Sequence, residues 1–154
     1  MDRMTFARPL VFTIFLSLAA LHAAPYSLVG YWAQNCQQIE EPNGTLEIED
    51  NQHVVIKVAF NQIYLISRLK AVSASEYRLY YEDVDLGGDG MDIPWDEASK
   101  THAIAKIKMR NQDSMIFIWE GLKNKTTKQI IELPFYSFEF EEGGMKAVLE
   151  RCKH

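Results

Sequence analysis

Large apolar residues occupy every second position along much of this chain. The clearest set runs from Val54 to Phe60, where Val54, Ile56, Val58 and Phe60 alternate with smaller or polar residues. Side chains of a β-strand point alternately to its two faces, so this pattern predicts strands with one buried face. Further sets with the same alternation are Leu46 and Ile48; Ile63 and Leu65; Tyr77, Leu79 and Tyr81; Ala105, Ile107 and Met109.

Three segments in the second half of the chain complete the series of predicted strands. The stretch from Met115 to Leu122 is apolar on both faces, which is typical of a central strand. We predict further strands from Thr127 to Phe135 and from Met145 to Cys152. No window of a dozen residues shows helical periodicity, so the one helical segment that we expect is a single turn at Ile93–Ala98.

These segments predict an all-β domain of about eight or nine strands. The connections are short and rich in Asn, Asp and Gly, which favours sequential antiparallel pairing in a meander. About eight such strands remove their exposed edges by closing into a barrel. We therefore expect a closed or nearly closed barrel, with a two-sheet sandwich as the alternative.

The N-terminal residues have the organisation of a secretory signal peptide. Arg3 and Arg8 precede an apolar run from Leu10 to Leu21, and the small residue Ala23 follows. The run of about a dozen residues is shorter than the roughly 20 that cross a bilayer, which disfavours the alternative of a membrane anchor.

We accordingly expect residues 1–23 to be cleaved, leaving 24–154 as a single all-β domain. The mature protein would then be periplasmic or secreted, with no stable membrane anchor.

The only two cysteines lie near the two ends of the predicted domain. Export to an oxidising compartment and an even cysteine count favour a disulfide between Cys36 and Cys152. The alternative is that one of them is a catalytic thiolate.

Charge and motif content argue against several functional classes. The formal net charge is −5, and an acidic domain lacks the basic face that nucleic-acid phosphates require. No Gly-x-Ser-x-Gly elbow, P-loop or dinucleotide fingerprint occurs. The histidines His53, His102 and His154 lack the spacing of a zinc site. We expect no catalytic residues, no metal and no cofactor.

The longest predicted loop is acidic and rich in glycine, and it leads into a tryptophan. A calcium loop beginning at Asp83 would need a glutamate at the position that Pro94 occupies, so a solvated loop is the better interpretation. Long loops at the rim of a β scaffold often bind partners, and tryptophan is a common interface anchor. The alternative is that the tryptophan packs against one end of the core. The predicted partner-binding residues are Asp85, Asp89, Asp92, Trp95 and Asp96, and the expected partner is a basic protein.

Gly30, Trp32 and Arg151 together resemble the lipocalin or wider calycin pattern. Gly30 and Trp32 form a Gly-x-Trp on the first predicted strand, and Arg151 lies on the last. The resemblance implies a barrel in which Trp32 packs at the closed end beneath Arg151. It also implies a carrier that holds a small apolar ligand inside the barrel.

Two functions remain open from the sequence. The preferred one is an exported, non-catalytic binding protein that inhibits or modulates an envelope or host enzyme through its rim loops. The alternative is a lipocalin-like carrier of a small apolar ligand. The preference rests on size, because a chain this short needs most of its apolar residues for its own core.

Overall fold

The computed structural model describes residues 26–38, 44–50, 52–58, 63–86, 92–133, 138–142 and 144–153. The predicted signal peptide at 1–23 lies outside these residues. Two short 3-10 turns cover Cys36–Gln38 and Trp95–Glu97, the second within the predicted helical turn. The strands are β1 (Gly30–Ala33), β2 (Thr45–Ile48), β3 (His53–Val58), β4 (Ile63–Ala71), β5 (Glu76–Leu86), β6 (Ala103–Asn111), β7 (Ser114–Trp119), β8 (Leu122–Lys123), β9 (Ile130–Ile131) and β10 (Lys146–Cys152).

Eight of these strands form a closed antiparallel barrel. Strands β1 to β7 pair in chain order, β7 pairs with β10, and β10 returns to pair with β1. The short hairpin β8–β9 is inserted between β7 and β10. The predicted all-β barrel meander is confirmed, and the sandwich alternative is wrong because β1 and β10 share a ladder.

The predicted alternation places the apolar side chains inside the barrel. Along β3, Val54, Ile56 and Val58 are each 0% exposed, whereas Val55 and Lys57 between them are half-buried on the outside. The same alternation divides the apolar side chains of β7 between a buried inner face and a half-buried outer face. Inward side chains that expose none of their surface include Leu46, Leu65, Leu79, Ile107, Phe117 and Leu149.

The predicted strand from Thr127 to Phe135 is wrong over most of its described length. Only Ile130–Ile131 form a strand, β9. The side-chain oxygen of Asn124 accepts hydrogen bonds from the backbone N–H groups of Thr126 (2.8 Å) and Thr127 (3.0 Å). Lys128 follows with a φ of 63°. This Asx turn competes with extended pairing, so the segment folds back as a tight hairpin.

One end of the barrel is closed by the segment that precedes β1. Leu28 in this segment is 1% exposed, and its carbonyl accepts a hydrogen bond from Trp32 Nε1 at 2.8 Å. Trp32 is itself 0% exposed, at the bottom of the barrel interior. We call this the closed end.

Arg151 joins three parts of the closed end. Its guanidinium carbon lies 4.3 Å from the centroid of the Trp32 ring. The same group donates hydrogen bonds to the carbonyls of Ser27, Val29 (2.6 Å) and Gln112 (3.0 and 3.2 Å). The planar guanidinium can serve several acceptors at once, so one residue links the last strand, the N-terminal segment and the β6–β7 hairpin.

Gly30 allows this close approach. Its φ is +136°, a conformation that L side chains rarely adopt, and a Cβ there would lie 3.3 Å from Arg151 Nη1. A side chain at position 30 would therefore crowd the Arg151 guanidinium above Trp32.

The predicted disulfide between Cys36 and Cys152 is confirmed. Their Cα atoms lie 5.2 Å apart, although 116 positions separate them in the chain. The ladder brings the two regions together, because Tyr31 on β1 is the register partner of Cys152. Two residues after β1, the 3-10 turn that begins at Cys36 places Cys36 beside Cys152. The bridge thus fastens the strand pair that closes the barrel.

We predict that the Cys36→Ala/Cys152→Ala variant loses about 4–5 kcal/mol of unfolding free energy, because the bridge restricts a very long loop in the unfolded chain. Denaturant titration of the variant and the oxidised protein measures the difference. A loss below about 1 kcal/mol would contradict the role given to the bridge.

We predict that Arg151→Met lowers the unfolding free energy by about 1–3 kcal/mol, because the carbonyls of Ser27, Val29 and Gln112 lose a charged donor. Arg151→Lys should lose less, since it keeps a cation near Trp32 but cannot form the planar fork. Arg110→Met, on an exposed side chain of β6, is the matched control, with an expected change within about 0.5 kcal/mol. Equal stability of Arg151→Met and the control would rule out the role of Arg151.

Candidate functional site

The end of the barrel opposite Arg151 carries the longest connections. The chain crosses it between β5 and β6 and between β7 and β10. We call residues 92–98 and 120–133, which belong to these two connections, the rim. Strand direction places both at the same end, because β5 and β7 both end there.

Trp95 lies in the 3-10 turn of the rim and is half-buried. Its ring stacks on Tyr81 of β5, with centroids 6.5 Å apart and an interplanar angle of 23°. The indole Nε1 is buried and has no hydrogen-bond acceptor among the described residues. Trp95 therefore covers part of the core and is not a fully exposed anchor.

The acidic residues predicted to bind a partner do not all belong to one loop. Asp92 and Asp96 are exposed in the rim, whereas Asp89 lies outside the described residues. Placing Asp85 in the loop was wrong: it lies on β5, opposite Tyr64 of β4. An extra residue, Glu82, shifts the alternation of β5 by one position. Val84 and Leu86 then pack against the core in place of the odd-numbered residues, so the strand continues to Leu86.

The two parts of the rim are hydrogen-bonded to each other. The Glu97 carboxylate accepts from Asn124 Nδ2 at 2.5 Å, and the Glu97 carbonyl accepts from the Lys125 N–H at 2.7 Å. Lys125 Nζ donates to the Asp96 carbonyl at 2.9 Å. These bonds attach the Trp95 turn to the β8–β9 hairpin, so the rim presents a preorganised surface.

A groove of about 270 Å³ runs between the two parts of the rim. Ile93, Pro94 and Ile130 give it an apolar lining, and Ile130 is 50% exposed. Asp92 and Glu132 place carboxylates at the same groove. Asn124, Thr127 and Gln129 add neutral polar side chains to the lining. A groove that combines apolar and acidic side chains is chemically suited to a protein surface that carries an apolar side chain among cations.

Tyr81 contributes a neutral hydroxyl beneath this surface. Burial raises the pKa of Tyr81, and the carboxylates of Asp83 and Asp96 raise this pKa further. The negative charge at the rim therefore comes from its carboxylates.

The structure also assembles a polar cluster on the outer wall that sequence reasoning missed. The Tyr31 hydroxyl donates to Glu47 at 2.5 Å, and Lys57 Nζ donates to Tyr31 Oη at 2.8 Å. Burial, followed by the hydrogen bond to Glu47, raises the pKa of Tyr31. These residues come from β1, β2 and β3, so only the strand register brings them together.

Comparison of this chain with protein-family models, curated proteins and solved structures found no match. The closed eight-stranded barrel is the part of the lipocalin resemblance that the structure shows. Among the described residues, no group of three or more His, Cys, Asp or Glu side chains is placed to hold a metal ion. Across the same residues, no helix has the length and apolar content to span a membrane.

We predict opposite effects for two replacements of Trp95. Trp95→Phe keeps an aromatic ring against Tyr81 and removes a buried donor without an acceptor, so stability should be unchanged or higher by about 1 kcal/mol. Trp95→Ala removes the ring and should cost about 2–3 kcal/mol. Chemical denaturation of both variants tests this, and a Phe variant as unstable as the Ala variant would show that the indole N–H is bonded.

Proposed function

We propose that this protein is an exported, non-catalytic binding protein that docks its rim on a basic protein, as an inhibitor or modulator of an enzyme. The observation that carries the proposal is the rim groove, which combines apolar side chains with carboxylates on a hydrogen-bonded backbone.

Charge and shape at the rim support a basic partner. The carboxylates of Asp92, Asp96 and Glu97 are exposed around Trp95, and Ile130 offers half of its surface at the groove. Complementary charge accelerates encounter and selects partners, whereas apolar contact at the centre of an interface supplies most of the affinity. The rim has both components within one surface.

The packing of the interior favours this function over that of a carrier. Inward side chains in the middle of the barrel, such as Ile56, Leu79 and Phe117, expose 0% of their surface. A cavity that holds a ligand would leave its lining with surface that a water molecule could reach. Eight-stranded barrels are narrow enough for side chains alone to fill them, and such a barrel binds through its outer surface.

Export is supported by the covalent structure. The Cys36–Cys152 disulfide is typical of proteins that mature in an oxidising compartment. The partner would then be a protein of the envelope or of the extracellular medium.

We predict that the wild-type protein binds basic exported enzymes, with a basic lysozyme as the first probe, and that Asp92→Asn/Asp96→Asn weakens this binding about tenfold. The matched control, Glu49→Gln/Glu76→Gln, removes the same charge at the closed end and should change affinity less than about twofold. Surface plasmon resonance at low and at physiological ionic strength measures both, together with inhibition of the enzyme.

Two results would contradict the proposal. If the rim and control variants weakened binding equally, the interaction would depend on the net charge of the protein and not on the rim. Native mass spectrometry that finds a small molecule on the exported protein, lost on unfolding, would support the carrier function.

A further inference from the structure

The strand register aligns three cations on the outer wall of the barrel. Lys70 on β4 is directly opposite Arg78 on β5, and Arg78 is directly opposite Lys106 on β6. Their chain neighbours Leu69, Leu79 and Ile107 point inward, so all three cations point outward. Like charges directly opposite each other destabilise a sheet, and strands lie only about 4.8 Å apart.

Neighbouring carboxylates neutralise only part of this positive charge. Glu76 pairs with Lys108 at 3.0 Å, Glu82 pairs with Arg68 at 3.5 Å, and Glu120 pairs with Lys106. Lys70 and Arg78 have no acidic partner within 4.0 Å among the described residues. This wall therefore carries cations without an acidic partner, although the chain as a whole is acidic.

A cleft of about 440 Å³ adjoins the row of cations. Arg68, Lys70 and Lys100 line it together with the ring of Tyr80 and with Thr101. The Arg68 guanidinium lies 5.7 Å from the Tyr80 ring centroid, which orients both groups. Three cations, a hydroxyl and an aromatic ring thus converge on one concave surface.

We propose that this cleft binds a sugar that carries two or more phosphate or sulfate groups. The cations of Lys70, Lys100 and Arg68 would contact the oxyanions, and the Tyr80 ring and Thr101 hydroxyl would contact the sugar. The site lies on the side wall and does not depend on the function proposed for the rim.

The charge distribution favours a compact ligand over a long polyanion or a membrane. The row of cations spans only about 10 Å across three strands. Glu76 and Glu82 interrupt the wall, and the rim beyond it is acidic. An extended nucleic acid or an anionic bilayer would have to lie against these carboxylates, whereas a sugar-sized ligand would avoid them.

The test measures binding of two probes by isothermal titration calorimetry. Inositol hexakisphosphate represents phosphate esters and a heparin-derived tetrasaccharide represents sulfate esters, so the preferred probe identifies the source of the oxyanions. The expected result is saturable binding of at least one probe, weakened at least about tenfold in Lys70→Gln/Lys100→Gln because two charged donors are lost.

The matched control is Lys146→Gln/Lys153→Gln, which removes the same charge from β10 and from the residue that follows it, three strands away from β5. We expect less than about a twofold change for it. Lys70→Gln alone should raise the melting temperature by about 1–3 °C, because it removes the repulsion from Arg78. Binding is therefore also measured for Lys70→Gln alone, because weaker binding in a more stable variant cannot be attributed to misfolding.

Three results would overturn the proposal. They are the absence of binding by both probes, equal weakening in the cleft and control variants, and tighter, Lys70-dependent binding to anionic phosphatidylglycerol vesicles or to DNA. The last result would assign the wall to a different class of partner.

Discussion

Pairing of β1 with β10 is the constraint on which the rest of this structure depends. The two strands lie at opposite ends of the described chain, and their ladder removes the last free edges of the sheet. Once they are side by side, the cysteines that flank the ladder are close enough to bond. Arg151 is also brought over Trp32, and its carbonyl partners fix the segment that closes one end. Covalent, polar and apolar contacts all reinforce the same strand pair.

Closure has a direct consequence for function. A narrow barrel directs every second side chain inward, and here those side chains fill the interior. The binding surfaces that we propose therefore consist of residues that the alternation leaves outside and of the connections at the end that Arg151 does not close. The rim has a groove of mixed apolar and acidic side chains, whereas the wall of β4, β5 and β6 carries cations. The two surfaces differ in charge and therefore suit different partners.

Much of the fold could be predicted because its signals are local. Val54, Ile56 and Val58 show their common face in the order of residues, since alternation depends only on backbone geometry. The disulfide was predicted from the cysteine count and the expected oxidising compartment, without any knowledge of the fold. Local signals also explain the errors. The Asx turn at Asn124 interrupts an apolar segment whose pattern predicts a strand. Conversely, Val84 and Leu86 belong to β5, in a segment whose composition predicts a loop.

The candidate sites show which information the sequence lacks. Residue order by itself determined the all-β class, the strands with a buried face, the cysteine pair and the Gly30, Trp32 and Arg151 set. Only the tertiary structure decided that Lys70, Arg78 and Lys106 form one row, and that the Trp95 turn is bonded to the β8–β9 hairpin. The physical reason is register. Alternation determines the face on which a side chain lies, whereas its neighbours across the sheet depend on how far each strand slides before its hydrogen bonds and packing are satisfied.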